Sequence, residues 1–391
     1  MASPHTARAY LDYNATAPLR PEARAAALAA MDEVGNPSSI HAEGRGARAL
    51  VEDARRAVAE LVGAAPRAVV FTSGGTEAAN LALTPAIAAP GLTAPLALLI
   101  VAAGEHPCVL NGHRFAPEAT IAAPLGADGR LDLAALAALV EAAEGPAMLA
   151  LQGANNETGV IQPVAEAAAL VHAKGGVVVC DAVQMAGRTD LSMAMLGADF
   201  LFLSAHKFGG PKGAGALVAA RSELAVGAPM LRGGGQERGA RAGTENVAAI
   251  AGFGAAARPA GAGRLVEGAR LEAMRDALAE SVMASAPDAV VFGASAPRLP
   301  NTLCFAVPGV AAATLVIALD LAGVAVSAGS ACSSGKVTRS HVLEAMGVAP
   351  DLSAGAIRLS LGWASQPADV ARFAEAFARA IAGLRRRRGA A

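Results

Sequence analysis

Phe200-Leu-Phe-Leu-Ser-Ala-His-Lys-Phe-Gly-Gly-Pro-Lys-Gly213 decides the fold. Its apolar run, Phe200–Ser204, has no polar alternation, the pattern of a strand buried on both faces. Ser204, His206 and Lys207 close that strand, and a glycine-rich turn follows at once. Lysine is rarely buried. Lys207, directly after a core strand, is therefore either a snorkelling surface residue or an amine held for chemistry.

The neighbouring sequence repeats the pattern. Strands are predicted at Ala68–Phe71, Leu96–Ala102, Met148–Gln152, Val177–Cys180 and Gly215–Ala219, separated by helical stretches. Helices are expected over Arg20 to Asp32, Gly44 to Val62 and Pro163 to Ala173, the last with Val164, Ala168 and Val171 on one face. Continuously apolar strands alternating with helices predict an α/β fold with a mainly parallel sheet between helix layers. In such sheets function collects beyond the carboxyl ends of the strands. There the chain delivers Thr72-Ser-Gly-Gly-Thr76, Glu105-His106, Asn155-Asn156, Asp181-Ala-Val-Gln184 and Ser204-Ala-His-Lys207 to one rim. That convergence favours a chemical role for Lys207.

With 391 residues the chain exceeds one ordinary core, so two domains are expected. The Gly- and Ala-rich stretch Phe253 to Gly263 is the expected seam. Beyond it come a helix over Arg264 to Ser285 and strands near Ala289–Phe292, Thr302–Ala306, Val324–Ser327 and Ala356–Leu361. Helices over Ala312–Leu321 and Pro367 to Ala382 complete a smaller α+β unit. The division is a large domain over residues 15–258 and a small one from residues 1–14 and 259–391.

A net charge of −1 gives no global attraction to nucleic acid or an anionic membrane. Arg385 to Arg388 read as a solvated tail or, second, a docking site for an acidic partner. The four cysteines never reach C-x-x-C spacing, which disfavours a zinc site or dithiol redox motif. No apolar run approaches a membrane span and the start has no signal-like apolar region, so a cytoplasmic protein is expected.

Thr72-Ser-Gly-Gly-Thr76 reads either as a plain strand-to-helix turn or as a phosphate cradle at a helix N-terminus. Gly209-Gly-Pro-Lys-Gly-Ala-Gly215 lacks the ending of a P-loop and precedes a strand, which excludes that motif. Asp181 is a turn cap or the partner of a protonated ring nitrogen, as pyridoxal phosphate requires.

These motifs, with Asp12-Tyr-Asn-Ala-Thr-Ala-Pro18, Gly35-Asn-Pro-Ser-Ser39, Asn155-Asn-Glu-Thr-Gly-Val160, Gly233-Gly-Gly-Gln-Glu-Arg238, Arg241-Ala-Gly-Thr244, Ser327-Ala-Gly-Ser-Ala-Cys332 and Ile357-Arg-Leu-Ser-Leu-Gly362, run in order along nearly the whole chain. The set resembles the cysteine desulfurases of the NifS/IscS group, which are fold-type I pyridoxal 5'-phosphate enzymes. The resemblance implies that Lys207 forms the Schiff base and that Gly75, Thr76, Ser204 and His206 hold the phosphate. Thr244 would join them from the neighbouring subunit of a homodimer. It further implies Asp181 at the ring nitrogen, Gln184 at the ring hydroxyl, Asn156 beside the cofactor and His106 stacked on the ring. Asn36 and Arg358 would bind the carboxylate of L-cysteine, although Arg358 could equally be a surface strand residue.

Cys332 would accept the substrate sulfur as a persulfide, releasing alanine. It lies in a small, polar stretch suited to a travelling loop over about 327–340. The other cysteines sit in or beside apolar segments, where a buried inert thiol is expected. Sulfur would then pass to an acceptor or iron–sulfur scaffold protein. The family's usual Leu-Glu-Pro after the cysteine is replaced by Val337-Thr338-Arg339, which keeps the loop length but turns its charge basic.

Overall fold

The computed structural model describes residues 8–221, 223–329 and 339–389. Seven strands form the main sheet: β1 (Val69–Thr72), β2 (Leu98–Ala102), β3 (Thr120–Ala123), β4 (Ala147–Gln152), β5 (Val177–Asp181), β6 (Phe200–Ser204) and β7 (Gly215–Ala219). Their spatial order is β1-β7-β6-β5-β4-β2-β3. Every pair is parallel except those of β7, which runs antiparallel to both β1 and β6.

The quoted stretch explains the exception. After β6 a single turn of 3-10 helix, Ala205–Lys207, leads into a short return, and Ser204 pairs with Gly215. Strands joined so closely must run antiparallel. Gly209 and Gly213 adopt φ of 97° and 81°, which favours glycine. A Cβ on Gly210 would lie 2.7 Å from that of Ala205. The glycines thus let the chain fold back over Lys207.

Two larger cores form. The first spans Ala23 to Ala260, with Leu299, and encloses the sheet. The second gathers Ala9 and Leu11 with side chains from Leu271 to Ile381. It underlies a four-stranded antiparallel sheet ordered Val290–Val291, Thr302–Ala306, Ile357–Ser360, Ser327–Ala328. Ala9–Tyr10 pairs in parallel with Val324–Ala325, which ties the chain's start to the second core.

Three sequence expectations are corrected. The edge strand β3 was not anticipated, because Ile121 faces solvent and the segment has no long apolar run. Phe253 to Ala262 is not a linker but the end of a helix, Val247–Ala262, and only Gly263 separates it from the helix Arg264–Ser285. Its small residues serve close packing: a Cβ on Gly254 would lie 2.4 Å from Ala54 Cα of the helix Ala42–Val62. Finally, Ser327–Ala328, assigned to the travelling loop, is a strand paired with Ile357 and Arg358.

Candidate active site

The carboxyl ends of β1, β2, β4, β5 and β6 surround a cavity of about 280 Å³. Lys207 lines it, with its Nζ donating to the carbonyls of Asn14 and Ala15 at 2.8 and 3.0 Å. One end is built for an anion. Gly75 and Thr76 open the helix Gly75–Ala82 behind N-cap Gly74, and Ser204 and His206 line the same cavity. The N–H groups of that first helical turn carry the positive end of the dipole. A Cβ at Gly75 would meet Val183 at 3.2 Å and Ser204 at 3.5 Å, so the helix start packs closely against both side chains. His206 bonds Thr16 Oγ1 through Nδ1 at 3.1 Å. Burial first, then Lys207 and other cations, holds its pKa at about 4, so the ring is neutral.

One carboxyl lines the cavity, and a second is buried near it. Asp181 ends β5 and accepts from Val183 N–H at 2.9 Å. Burial pushes its pKa up to about 6, against the pull of that N–H and of Lys207. Glu105 is fully buried; burial first and then Asp181 raise its carboxyl well above the usual range. Its Oε1 accepts from Gln152 N–H at 2.6 Å.

The raised pKa of Asp181 has a signed consequence. A carboxyl raised on folding contributes stability below its unfolded pKa, and that stability is lost as pH rises through the folded value. Asp181→Asn keeps an oxygen for Val183 and removes the charge. The ligand-free variant is expected to melt above the wild type near pH 8, by up to about 3 kcal/mol, with the gap closing towards about pH 4. A pH-independent gap would contradict that assignment.

His106 caps the short helix Pro107–Leu110, with Nδ1 accepting from Cys108 N–H at 3.1 Å. Burial, then Lys207 and His341, lowers its pKa to about 4. The ring is neutral with its proton on Nε2. Gln184 lines the cavity and donates to the Asn14 carbonyl at 3.1 Å, while its Oε1 accepts from buried Arg188.

Arg358 is not a surface residue. It is 2% exposed, donates from Nη2 to Asp12 Oδ1 at 2.8 Å and from Nη1 to the Asn156 carbonyl at 3.1 Å. Its Nε has no partner among the described residues, although it lines the cavity. A buried guanidinium with an unspent donor is suited to bind an anionic ligand.

The sequence-selected residues therefore divide. Gly75, Thr76, His106, Asn156, Asp181, Gln184, Ser204, His206, Lys207 and Arg358 share one cavity. Asn36 does not reach it; its Oδ1 caps a local turn at Ser38 N–H, 2.9 Å away. Thr244 lines a separate space of about 130 Å³ beside Thr72 and Ser73. Cys332 lies outside the described residues. Cys180 and Cys304 are buried and their thiols are pushed up, first by burial. Cys108 departs from the expected inert thiol, since it is only half-buried and lines the cavity.

Sequence reasoning missed Asn14. Its Nδ2 donates to Thr302 Oγ1 and to the Asn156 carbonyl, and its own carbonyl receives Lys207 and Gln184. The signal was an asparagine beside Asp12 in a proline-broken strand, but its chemistry lies in the backbone carbonyl, which any residue supplies. Glu105 and Gln152 were visible only as polar residues at strand ends.

The class-V aminotransferase family model matches residues 9–373. A cysteine desulfurase of Cereibacter sphaeroides is 42% identical over 375 residues, covering 94% of each chain. An IscS-like cysteine desulfurase of Mycobacterium tuberculosis is 39% identical, covering 97% of each. The crystal structure of a NifS-like protein from Rickettsia africae superposes with a TM-score of 0.86 at 32% identity, over 95% of this chain and 99% of that one. The chain belongs to the class-V aminotransferase family, within its NifS- and IscS-like cysteine desulfurase group.

Proposed function

We infer that this protein is a pyridoxal-phosphate-dependent cysteine desulfurase that converts L-cysteine to L-alanine and passes the sulfur to Cys332. The carrying observation is the Lys207 amine in one cavity with a carboxylate, an anion-binding helix end and the Arg358 guanidinium. This donor set fits the cofactor: an amine for its aldehyde, Asp181 for its ring nitrogen, and amides and hydroxyls for its phosphate. The position of Gly75 and Thr76 at the N-terminus of the helix Gly75–Ala82, with Ser204 and His206 lining the same cavity, supports the last assignment.

When bound, pyridoxal phosphate supplies an electron sink for bonds at the substrate Cα. The chain supplies the rest. Gly75 and Thr76 N–H groups, with Ser204 and His206, hold the phosphate, and Asp181 keeps the ring nitrogen protonated. His106 would offer Nε2–H to the bound group, and Gln184 would donate to its hydroxyl. Arg358 would fix the substrate carboxylate and so orient the thiol. The Lys207 amine would carry the Cα proton. The Cys332 thiolate attacks the substrate Sγ, so an S–S bond forms and the Cβ–Sγ bond breaks. The electron pair stays on Cβ, which takes a proton as alanine is completed, and Cys332 retains the persulfide.

The separate position of Thr244 supports its assignment to the phosphate of a neighbouring subunit, and hence a homodimer. The two cores support a large unit over residues 15–258 and a small one from residues 1–14 and 259–391, although the first core also takes in Ala260 and Leu299. The persulfide would pass to an acceptor protein for iron–sulfur cluster assembly or other sulfur-requiring biosynthesis. Among the described residues no helix is long and apolar enough to cross a membrane, and a cytoplasmic setting fits this reading. Purified protein given pyridoxal phosphate, cysteine and a thiol reductant should yield alanine and sulfide in equal amounts. Keto-acid production in their place would contradict the assignment.

A further inference from the structure

The turn Asn155-Asn156-Glu157 does more than border the cavity. The Asn155 side chain pins it, with Oδ1 accepting from Glu157 N–H and Thr158 N–H, both at 2.9 Å. The Asn156 carbonyl receives Arg358 Nη1. The next side chain, Glu157, is buried and turns towards the ends of the segment that carries Cys332. Ser340 Oγ donates to Glu157 Oε2 at 2.5 Å, while the same Oγ accepts from Leu343 N–H at 3.1 Å and caps the helix His341–Ala345. On the other side, a Cβ built on Gly329 would lie 3.6 Å from Glu157 Oε2 and 3.0 Å from Ala356 Cβ. Gly329 is itself held by its N–H to the Ala356 carbonyl at 2.8 Å. One carboxylate oxygen therefore bonds the stem at Ser340 and lies near the stem at Gly329 without a hydrogen bond to it.

Its chemistry suits that place. Burial pushes the Glu157 carboxyl up, while Ser340, Arg358 and His341 pull against it. A hydroxyl-to-carboxylate bond of this length is the charge-assisted kind, stronger than a neutral pair and directional. His341 adds a second tether, its Nε2 lying 2.8 Å from the Glu105 carbonyl. The stem at Ser340 and His341 is thus tied to the turn whose Asn156 carbonyl receives Arg358 and to the turn that carries His106.

We propose that Glu157, through Ser340, is a positioning residue for sulfur transfer: it fixes the Ser340 stem of the Cys332 segment to the turn that receives the substrate-binding arginine. This rests on the assignment of Cys332 as sulfur acceptor. Glu157 touches neither substrate nor cofactor in this role. Its loss would misplace the nucleophile relative to a correctly bound substrate, and a displacement near 1 Å can cost about a hundredfold in rate.

The test uses the holoenzyme and three variants, Glu157→Ala, Ser340→Ala and the double substitution. Visible absorbance follows cysteine binding, and alkylation with mass analysis follows the persulfide on Cys332 in a single turnover. The expected result is an unchanged cysteine-dependent spectral shift and a KM within about threefold. Persulfide formation should slow about ten- to a hundredfold in each single variant, and the double variant should be no slower than the worse single one. Ser340→Ala removes one hydroxyl, so it reports even if Glu157→Ala does not fold. Unchanged persulfide rates in Ser340→Ala would overturn the proposal, as would losses that multiply in the double variant. If wild-type enzyme formed no persulfide on Cys332, the functional assignment itself would fail, an outcome distinct from both.

Discussion

Lys207→Ala is expected to lose turnover by at least about 10⁴-fold, the upper range for a general acid–base group, and to lose the visible absorbance of the bound cofactor. On the proposed function two roles would fall on the same Nζ: attaching the cofactor and carrying the Cα proton. No neighbour can substitute. His106 and His206 are neutral with pKa values near 4, so neither is tuned as a base near pH 8. Arg188 is spent on Gln184 and on the Tyr13 and Lys207 carbonyls. A structural cost accompanies the change: the Asn14 carbonyl keeps Gln184 as donor, but the Ala15 carbonyl loses Lys207, worth about 1–3 kcal/mol if left dry. The cavity is open to water, which limits that cost. Arginine should not rescue, since a guanidinium stays protonated and cannot cycle a proton. Measurable cysteine turnover in Lys207→Ala would contradict the assignment.

Cys332→Ser separates the second half of the chemistry. The variant should keep the visible absorbance and the spectral response to cysteine, because Lys207, Asp181 and Arg358 are untouched. Sulfide and alanine release should fall towards the ~10⁶ loss typical when a covalent nucleophile is removed. A serine hydroxyl is not ionised near neutral pH and does not attack a soft thiol sulfur, whereas a thiolate does. Full activity would shift the nucleophile elsewhere, and the structure names the alternative. Cys108 is half-buried in the same cavity, whereas Cys180 and Cys304 are buried with thiols held protonated.

Much of this was legible before the structure because the physics was local. The unbroken apolar runs gave six of the seven sheet strands, and β6 and β7 matched the expected bounds. The polar residues after those runs gave the rim, since strand polarity alone sends them to one edge. What stayed hidden depended on neighbours distant in sequence. β3 is an edge strand whose pairing with β2 supplies what its composition lacks. The helix over Phe253–Ala262 looked like a linker because its glycines answer to Ala54, two hundred residues earlier. Arg358 alternates with apolar residues as a surface strand would, yet both faces of Ile357–Ser360 are buried. Asn14 acts through its backbone, and Asn36 stays outside the cavity, so residue type misled in both cases.

The account turns on one division of labour: Lys207 activates cysteine, and Cys332 takes its sulfur. Its most direct test is a single turnover of holoenzyme with cysteine and no reductant, followed by alkylation and peptide mass analysis. The account predicts one added sulfur atom on the peptide bearing Cys332, one alanine released with it, and none added to the peptide bearing Cys108. Sulfur on Cys108, or alanine released with no sulfur on Cys332, would contradict it.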